Sequence, residues 1–221
     1  MSYFLVIISF LVALWASFNV KSTFKKYSNV MNQRGYTADQ IARMILDQNG
    51  LHHVSVERVN GNLTDHFDPS SNVVRLSDSV YGKSSAAAIG VAAHECGHAV
   101  QYAEQYTPMK IRSAIIPITN IGSNLAYPLV FLGIILGGIR PLITIGIWLF
   151  IAVVVFQLVT LPVEFDASGR AMKTLEQSGY LDTEELKQSR KVLTAAALTY
   201  VAALFTAIAQ LLRLIDIGRR N

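Results

Sequence analysis

Apolar positions in this chain fall into long runs separated by two polar stretches. The first run, Tyr3 to Val20, meets no charge until Lys21. A helix of that length rises about 27 Å, close to the roughly 30 Å of a bilayer's hydrocarbon core. No positive charge precedes it, and Trp15-Ala16-Ser17-Phe18-Asn19 makes a poor cleavage site. The pattern therefore predicts a retained transmembrane anchor over 1–20 rather than a signal peptide. A second apolar stretch reaches from Ile111 to Gly138. Its first half carries Pro117, Thr119, Asn120, Ser123 and Asn124 and reads as interfacial or packed against protein; its second half, Tyr127 to Leu136, suits lipid. Gly137-Gly138-Ile139-Arg140-Pro141 predicts a tight turn with Pro141 at a helix start. Leu142 to Val163 is the strongest span, so that 112–163 forms a transmembrane helical hairpin. The last run, Val192 to Leu214, contains Thr194, Thr199, Thr206 and Gln210. It predicts an apolar helix over 192–221 that either spans or packs on the other helices.

The polar stretches have shorter periods. In 21–111, Thr37-Ala38-Asp39-Gln40 is a capping box, Ile41, Met44 and Ile45 form a helical stripe, and Gly50 closes it. Two or three strands are predicted next: Val54, Val56 and Val59 before a hairpin turn at Asn60-Gly61, then the stretches Leu63 to Phe67 and Val73 to Leu76. A helix from Ser84 to Tyr102 follows. The second polar region, 164–191, reads as two helices, one from Val163 to Gln177 that stops at Gly179 and one capped by Asp182 with Glu185 three residues on. The predicted class is thus a mainly α integral membrane protein with three or four transmembrane helices and a small α+β domain.

Composition agrees: 52% of residues are hydrophobic and 15% charged, too little polar surface for a soluble domain of this size. The net charge of +4 sits beside the apolar runs and forms no aromatic-interleaved patch, which argues for membrane orientation and against nucleic acid. Lys21, Lys25, Lys26 and Arg34 follow the first run, Lys110 and Arg112 precede the second, and Arg170, Lys173, Lys187, Arg190 and Lys191 lie between the third and fourth. The positive-inside rule puts both polar regions on the cytoplasmic side of the cell membrane. Arg219 and Arg220 disagree if the fourth run crosses. The lone cysteine, Cys96, allows no internal disulfide.

The chemistry concentrates in His94-Glu95-Cys96-Gly97-His98, an H-E-x-x-H pattern on a predicted helix. Residues four apart share a helix face, so His94 and His98 can reach one Zn²⁺ while Glu95 stands beside the water position as general base. Without a metal, a charged Glu between two imidazoles in an alanine-rich helix would be costly to pack. No histidine follows His98, which leaves a downstream carboxylate as third ligand. Glu164 stands where the third run re-emerges, and the two runs between it and His98 return both to the same side. The competing reading of Glu164 is an interfacial residue paired with Arg170. Asp166 is either a carboxylate that orients a ligand histidine or a helix cap. Arg170 and Tyr180 could stabilise an oxyanion, but such residues are more often at the surface. His52 and His53 read as solvated turn residues, His66 and Asp68 as exposed hairpin residues that could line a cleft, and Cys96 as a small core residue.

His94-Glu95-Cys96-Gly97-His98-Ala99-Val100-Gln101, Val163-Glu164-Phe165-Asp166-Ala167-Ser168 and His66-Phe67-Asp68-Pro69 before Val74-Arg75-Leu76-Ser77 together resemble the YugP-like neutral zinc metallopeptidases, bacterial membrane proteins. The resemblance covers nearly the whole chain. It implies zinc ligation by His94, His98 and Glu164 in a zincin-like domain of the gluzincin type. The order of motifs is more distantly similar to HtpX and the CAAX prenyl proteases, which carry Asp four residues after the ligand Glu; here that position is Ser168, with Asp166 two residues after. The expected function is a membrane-anchored zinc endopeptidase acting on membrane-proximal or misfolded polypeptides. The alternative is a scaffold or partner subunit with a structural zinc, meeting a membrane protein partner or a second copy of itself.

Overall fold

The computed structural model of the protein describes residues 2–220. Met1 and Asn221 lie outside the described residues, as does the side chain of Arg220, whose charge enters the orientation argument. The elements are α1 (Ser2–Tyr27), α2 (Ala38–Gln48), β1 (Ser55–Val59), β2 (His66–Asp68), β3 (Val73–Ser77), α3 (Ala86–Ala103), α4 (Thr107–Ile135), α5 (Arg140–Ser178) and α6 (Thr183–Arg220). Four of them, α1, α4, α5 and α6, are long and apolar enough to cross a membrane.

Two helices are longer than the sequence pattern predicts. The third apolar run and the helix expected to begin at Val163 form one continuous α5, with Pro162 inside it. Membrane-type helices tolerate an interior proline because neighbouring groups can serve the freed carbonyl, and the residues after it keep a helical stripe, with Val163, Ala167, Ala171 and Leu175 buried. Likewise the helix started by Asp182 runs on through the last apolar run as α6. There Asp182 Oδ1 accepts from the Glu184 and Glu185 N–H groups, while Glu185 Oε2 accepts from Asp182 N–H at 2.9 Å. The polar first half of the second run does not interrupt α4. Thr119 Oγ1 donates to Ile115 O and Asn124 Nδ2 to Asn120 O, both at 2.9 Å, so these side chains find partners on their own helix.

The chain divides into two compact units. One comprises the residues up to Ser17, Thr107–Pro162 and Leu198 onward. Ala126, Val130, Ile143, Phe150, Val153 and Leu214 form its interior. Phe131, Ile135, Trp148 and Leu158 stand exposed on α4 and α5, an outward apolar surface that suits lipid contact.

The other unit comprises Phe18–Tyr106 and Val163–Ala197. Its sheet has the order β1-β3-β2, with β1 parallel to β3 and β2 antiparallel to it. The hairpin expected at Asn60-Gly61 is therefore absent, because β3 lies between the two strands that turn would have joined. β3 is buried almost throughout and takes the centre, whereas β1 is half exposed and takes an edge. The chain only bends at Asn60-Gly61, where Asp78 Oδ2 accepts from Gly61 N–H at 2.9 Å. Ile41, Leu46, Leu76, Ile89 and Leu175 belong to the core that seats α2, the sheet, α3 and the end of α5 together. Leu76→Ala opens a void in the central strand and should lower unfolding free energy by about 2–5 kcal/mol. Chemical denaturation of the detergent-solubilised chain checks this.

Candidate metal centre

The helix that carries the histidines is set locally. Alanines at 86–88, 92 and 93 favour helix, and Ser85 caps it, its hydroxyl accepting from Ala88 N–H at 3.2 Å. The spacing of four puts His94 and His98 on one face, ring centroids 4.7 Å apart and nearly edge-on. Opposite them runs α5. Between the two histidines stands Gly97, where an added Cβ would lie 2.6 Å from Ala167 O. The absence of that atom lets the two backbones meet.

The close approach delivers Glu164. Its Oε2 lies 3.3 Å from His94 Nε2 and 3.4 Å from His98 Nε2. Among the described residues these three form the one group of metal-binding side chains whose ligand atoms all fall within 4.8 Å of each other. A tetrahedral zinc with bonds of about 2.0–2.1 Å separates its ligand atoms by about 3.3–3.4 Å. Both separations match that edge, and two imidazoles with a carboxylate are a zinc donor set, so the residues fit the ion. Three donors rather than four leave a coordination position open.

The site is negative and largely buried. Glu164 is 2% exposed. Burial alone would push His98 down, but its hydrogen bond to Glu164 and the charges of Glu95 and Glu164 outweigh this and hold it above its ordinary value. Glu95 is buried, and among the described residues its carboxylate makes no hydrogen bond or ion pair.

Around the three donors lies a chain of polar groups. His94 Nδ1 is 3.1 Å from Ser168 Oγ. His98 Nδ1 is 3.0 Å from Gln101 Oε1, and Gln101 Nε2 donates to Val163 O at 2.8 Å and to Asp166 Oδ2 at 2.7 Å. Arg170 Nε donates to the same Asp166 oxygen at 2.5 Å, while its Nη1 donates to Glu104 Oε2 at 2.6 Å. Its guanidinium also lies over the Tyr106 ring.

Asp166 is thus joined to His98 through Gln101, and Arg170 is engaged by two carboxylates. Glu164 faces the histidines rather than Arg170. Tyr180 is buried, its hydroxyl accepting from Gln48 Nε2 at 2.7 Å. His52 pairs with Asp47 at an exposed position and His53 is exposed. His66 is also exposed, its Nδ1 2.9 Å from Thr64 O, and Asp68 is held by Ser70, Ser71 and Arg75. Cys96 is a core residue; its Sγ donates to Ala42 O, and burial pushes its thiol up. Sequence reasoning missed Gln101, Ser168 and Gly97. Gln101 lies three residues after His98 and Ser168 four after Glu164, the spacings that share a helix face.

A family model described as "Putative neutral zinc metallopeptidase" matches residues 2–219, and the chain belongs to that family. A relative named "Putative membrane protease YugP", from Bacillus subtilis (strain 168), is 50% identical over 214 residues, covering 97% of this chain and 95% of the relative. No solved structure matches the chain. Zinc is the family's metal, and the His94, His98 and Glu164 cluster is a site that could hold it.

Two outcomes are expected. Gly97→Ala forces α3 away from the Ala167 carbonyl and should weaken zinc binding on the order of tenfold or more, as losses around a metal's ligands do; competition with a chelating dye measures it. Because His98 keeps its proton to higher pH than a free imidazole, apparent zinc affinity should begin to fall on acidification from a higher pH than at a site with an ordinary histidine. A pH titration of bound zinc checks the direction.

Proposed function

We propose that this family member is a membrane-embedded zinc endopeptidase of the gluzincin type, with His94 Nε2, His98 Nε2 and the Glu164 carboxylate as ligands and Glu95 as general base. The observation that carries the reading is the pair of separations, 3.3 and 3.4 Å, from one Glu164 oxygen to two imidazoles on another helix. Zinc held by this donor set supplies Lewis acidity, lowering the pKa of water to about 7. The chain's own groups do the rest. Glu95, unengaged by other side chains, takes a proton from the water as it attacks the peptide carbonyl. It then gives that proton to the departing amine nitrogen, so that one water is consumed per bond cut. His94 and His98 remain neutral ligands, kept in orientation by Ser168 and Gln101.

The open fourth position supports a catalytic site over the alternative of a scaffold with a structural zinc, since structural sites are closed by four ligands. A small α+β zincin-like fold around α3 is part of the same proposal. The four apolar helices support a cell-membrane location and substrates that are membrane-proximal or misfolded polypeptides. The lysines and arginines flanking the apolar runs support a site on the cytoplasmic side.

Glu95→Gln should lower cleavage of an unfolded polypeptide at least about 100-fold while bound zinc stays at the wild-type level. His94→Ala should lose both. Undiminished cleavage by the Glu95→Gln variant, scored by peptide release and zinc analysis on one preparation, would favour the scaffold.

A further inference from the structure

We infer that Gln101 is a positioning residue that fixes the tautomer of His98 and so turns the lone pair of Nε2 toward the metal position. The inference rests on the metal reading above. Gln101 is fully buried in an otherwise apolar stretch of α3, and each end of its amide is used. The orientation follows from what its neighbours can accept. Val163 O, 2.8 Å from Nε2, is a carbonyl oxygen and only accepts. Asp166 Oδ2, 2.7 Å away, is held as an acceptor by the Arg170 guanidinium at 2.5 Å. The amide nitrogen must therefore face these two oxygens, since the flipped amide would oppose its own oxygen to both.

The amide oxygen is then the atom 3.0 Å from His98 Nδ1. It can only accept, so Nδ1 carries the hydrogen. A cation replaces the Nε2 proton that His98 shares with Glu164 Oε2 at 3.4 Å; the neutral imidazole then keeps its one N–H on Nδ1 and turns the Nε2 lone pair to the metal position. Polarity thus runs in one direction, from the Arg170 guanidinium through the Asp166 carboxylate and the Gln101 amide to the imidazole. The histidines differ in this respect. Ser168 faces His94 Nδ1 with a hydroxyl that can donate or accept, so it selects no tautomer. Gln101 has a second effect: its bond to Val163 O ties α3 to α5 one residue from Glu164.

The test compares zinc binding by full-length wild type, Gln101→Met and Gln101→Glu in detergent, by competition with a chelating dye. Methionine fills the volume without hydrogen bonding; glutamate keeps an acceptor for Nδ1–H, and its other carboxyl oxygen, facing Val163 O and Asp166 Oδ2, takes a proton there and donates as the amide nitrogen does. The inference expects Gln101→Met to bind zinc about 10–100-fold more weakly and Gln101→Glu to stay within a few-fold of wild type. A packing role predicts the reverse order, and that order, or wild-type affinity in Gln101→Met, overturns it. The ¹⁵N spectrum of histidine-labelled, zinc-loaded wild type decides independently of any variant. His98 should show a protonated Nδ1 and a ligated Nε2; ligation through Nδ1 overturns the inference. A wild-type chain that takes up no zinc overturns the metal reading and this inference with it.

Discussion

The contact between α3 and α5 at Gly97 is the constraint from which the site follows. With only hydrogen at that position, the backbone of α3 reaches the Ala167 carbonyl, where a methyl carbon would stand at 2.6 Å. His94 and His98 flank the glycine on α3, and Glu164 lies just before Ala167 on α5. One close approach therefore sets the Glu164 oxygen at the separation from each imidazole nitrogen that a tetrahedral ion needs. Neither helix could do this alone: α3 supplies two of the candidate ligands at a fixed spacing of four, and the third comes from another element.

Such a site conflicts with burial. A carboxylate 2% exposed beside two imidazoles is costly unless each group has a partner. The polar chain around the donors resolves the conflict in part. Gln101 and Ser168 occupy the outward nitrogens of the rings, and Asp166, Arg170 and Glu104 complete a line of alternating charge. What remains is the negative character of the cluster itself, which favours a cation between the donors. Glu95 has no such partner among the described residues, which suits the proton transfer proposed for it.

Much of this was legible in the residues. The H-E-x-x-H spacing identified the face of α3, and the count of apolar runs between His98 and Glu164 brought the carboxylate back to it. Helix starts at Ala38 and Thr183 could be read from their capping residues. The strand order could not, because Asn60-Gly61 has the local chemistry of a hairpin turn while the neighbour of β1 is chosen by burial of β3, a non-local term. Helix continuity past Pro162 was hidden for a similar reason: proline reads as a boundary, and only packing of the stripe Val163, Ala167, Ala171 and Leu175 carries the helix onward. Gln101 shares a helix face with His98 and Ser168 with Glu164, but a glutamine or serine at such spacing is usually a surface residue. Their partners become visible only once the two helices meet.

X-ray absorption at the zinc edge of the zinc-loaded chain tests the central claim most directly, since it reads the ligand atoms without relying on activity. The account predicts a first shell of nitrogen and oxygen at about 2.0–2.1 Å, with the outer scattering of two imidazoles. A sulfur shell at about 2.3 Å, or a site with fewer than two imidazoles, would contradict it.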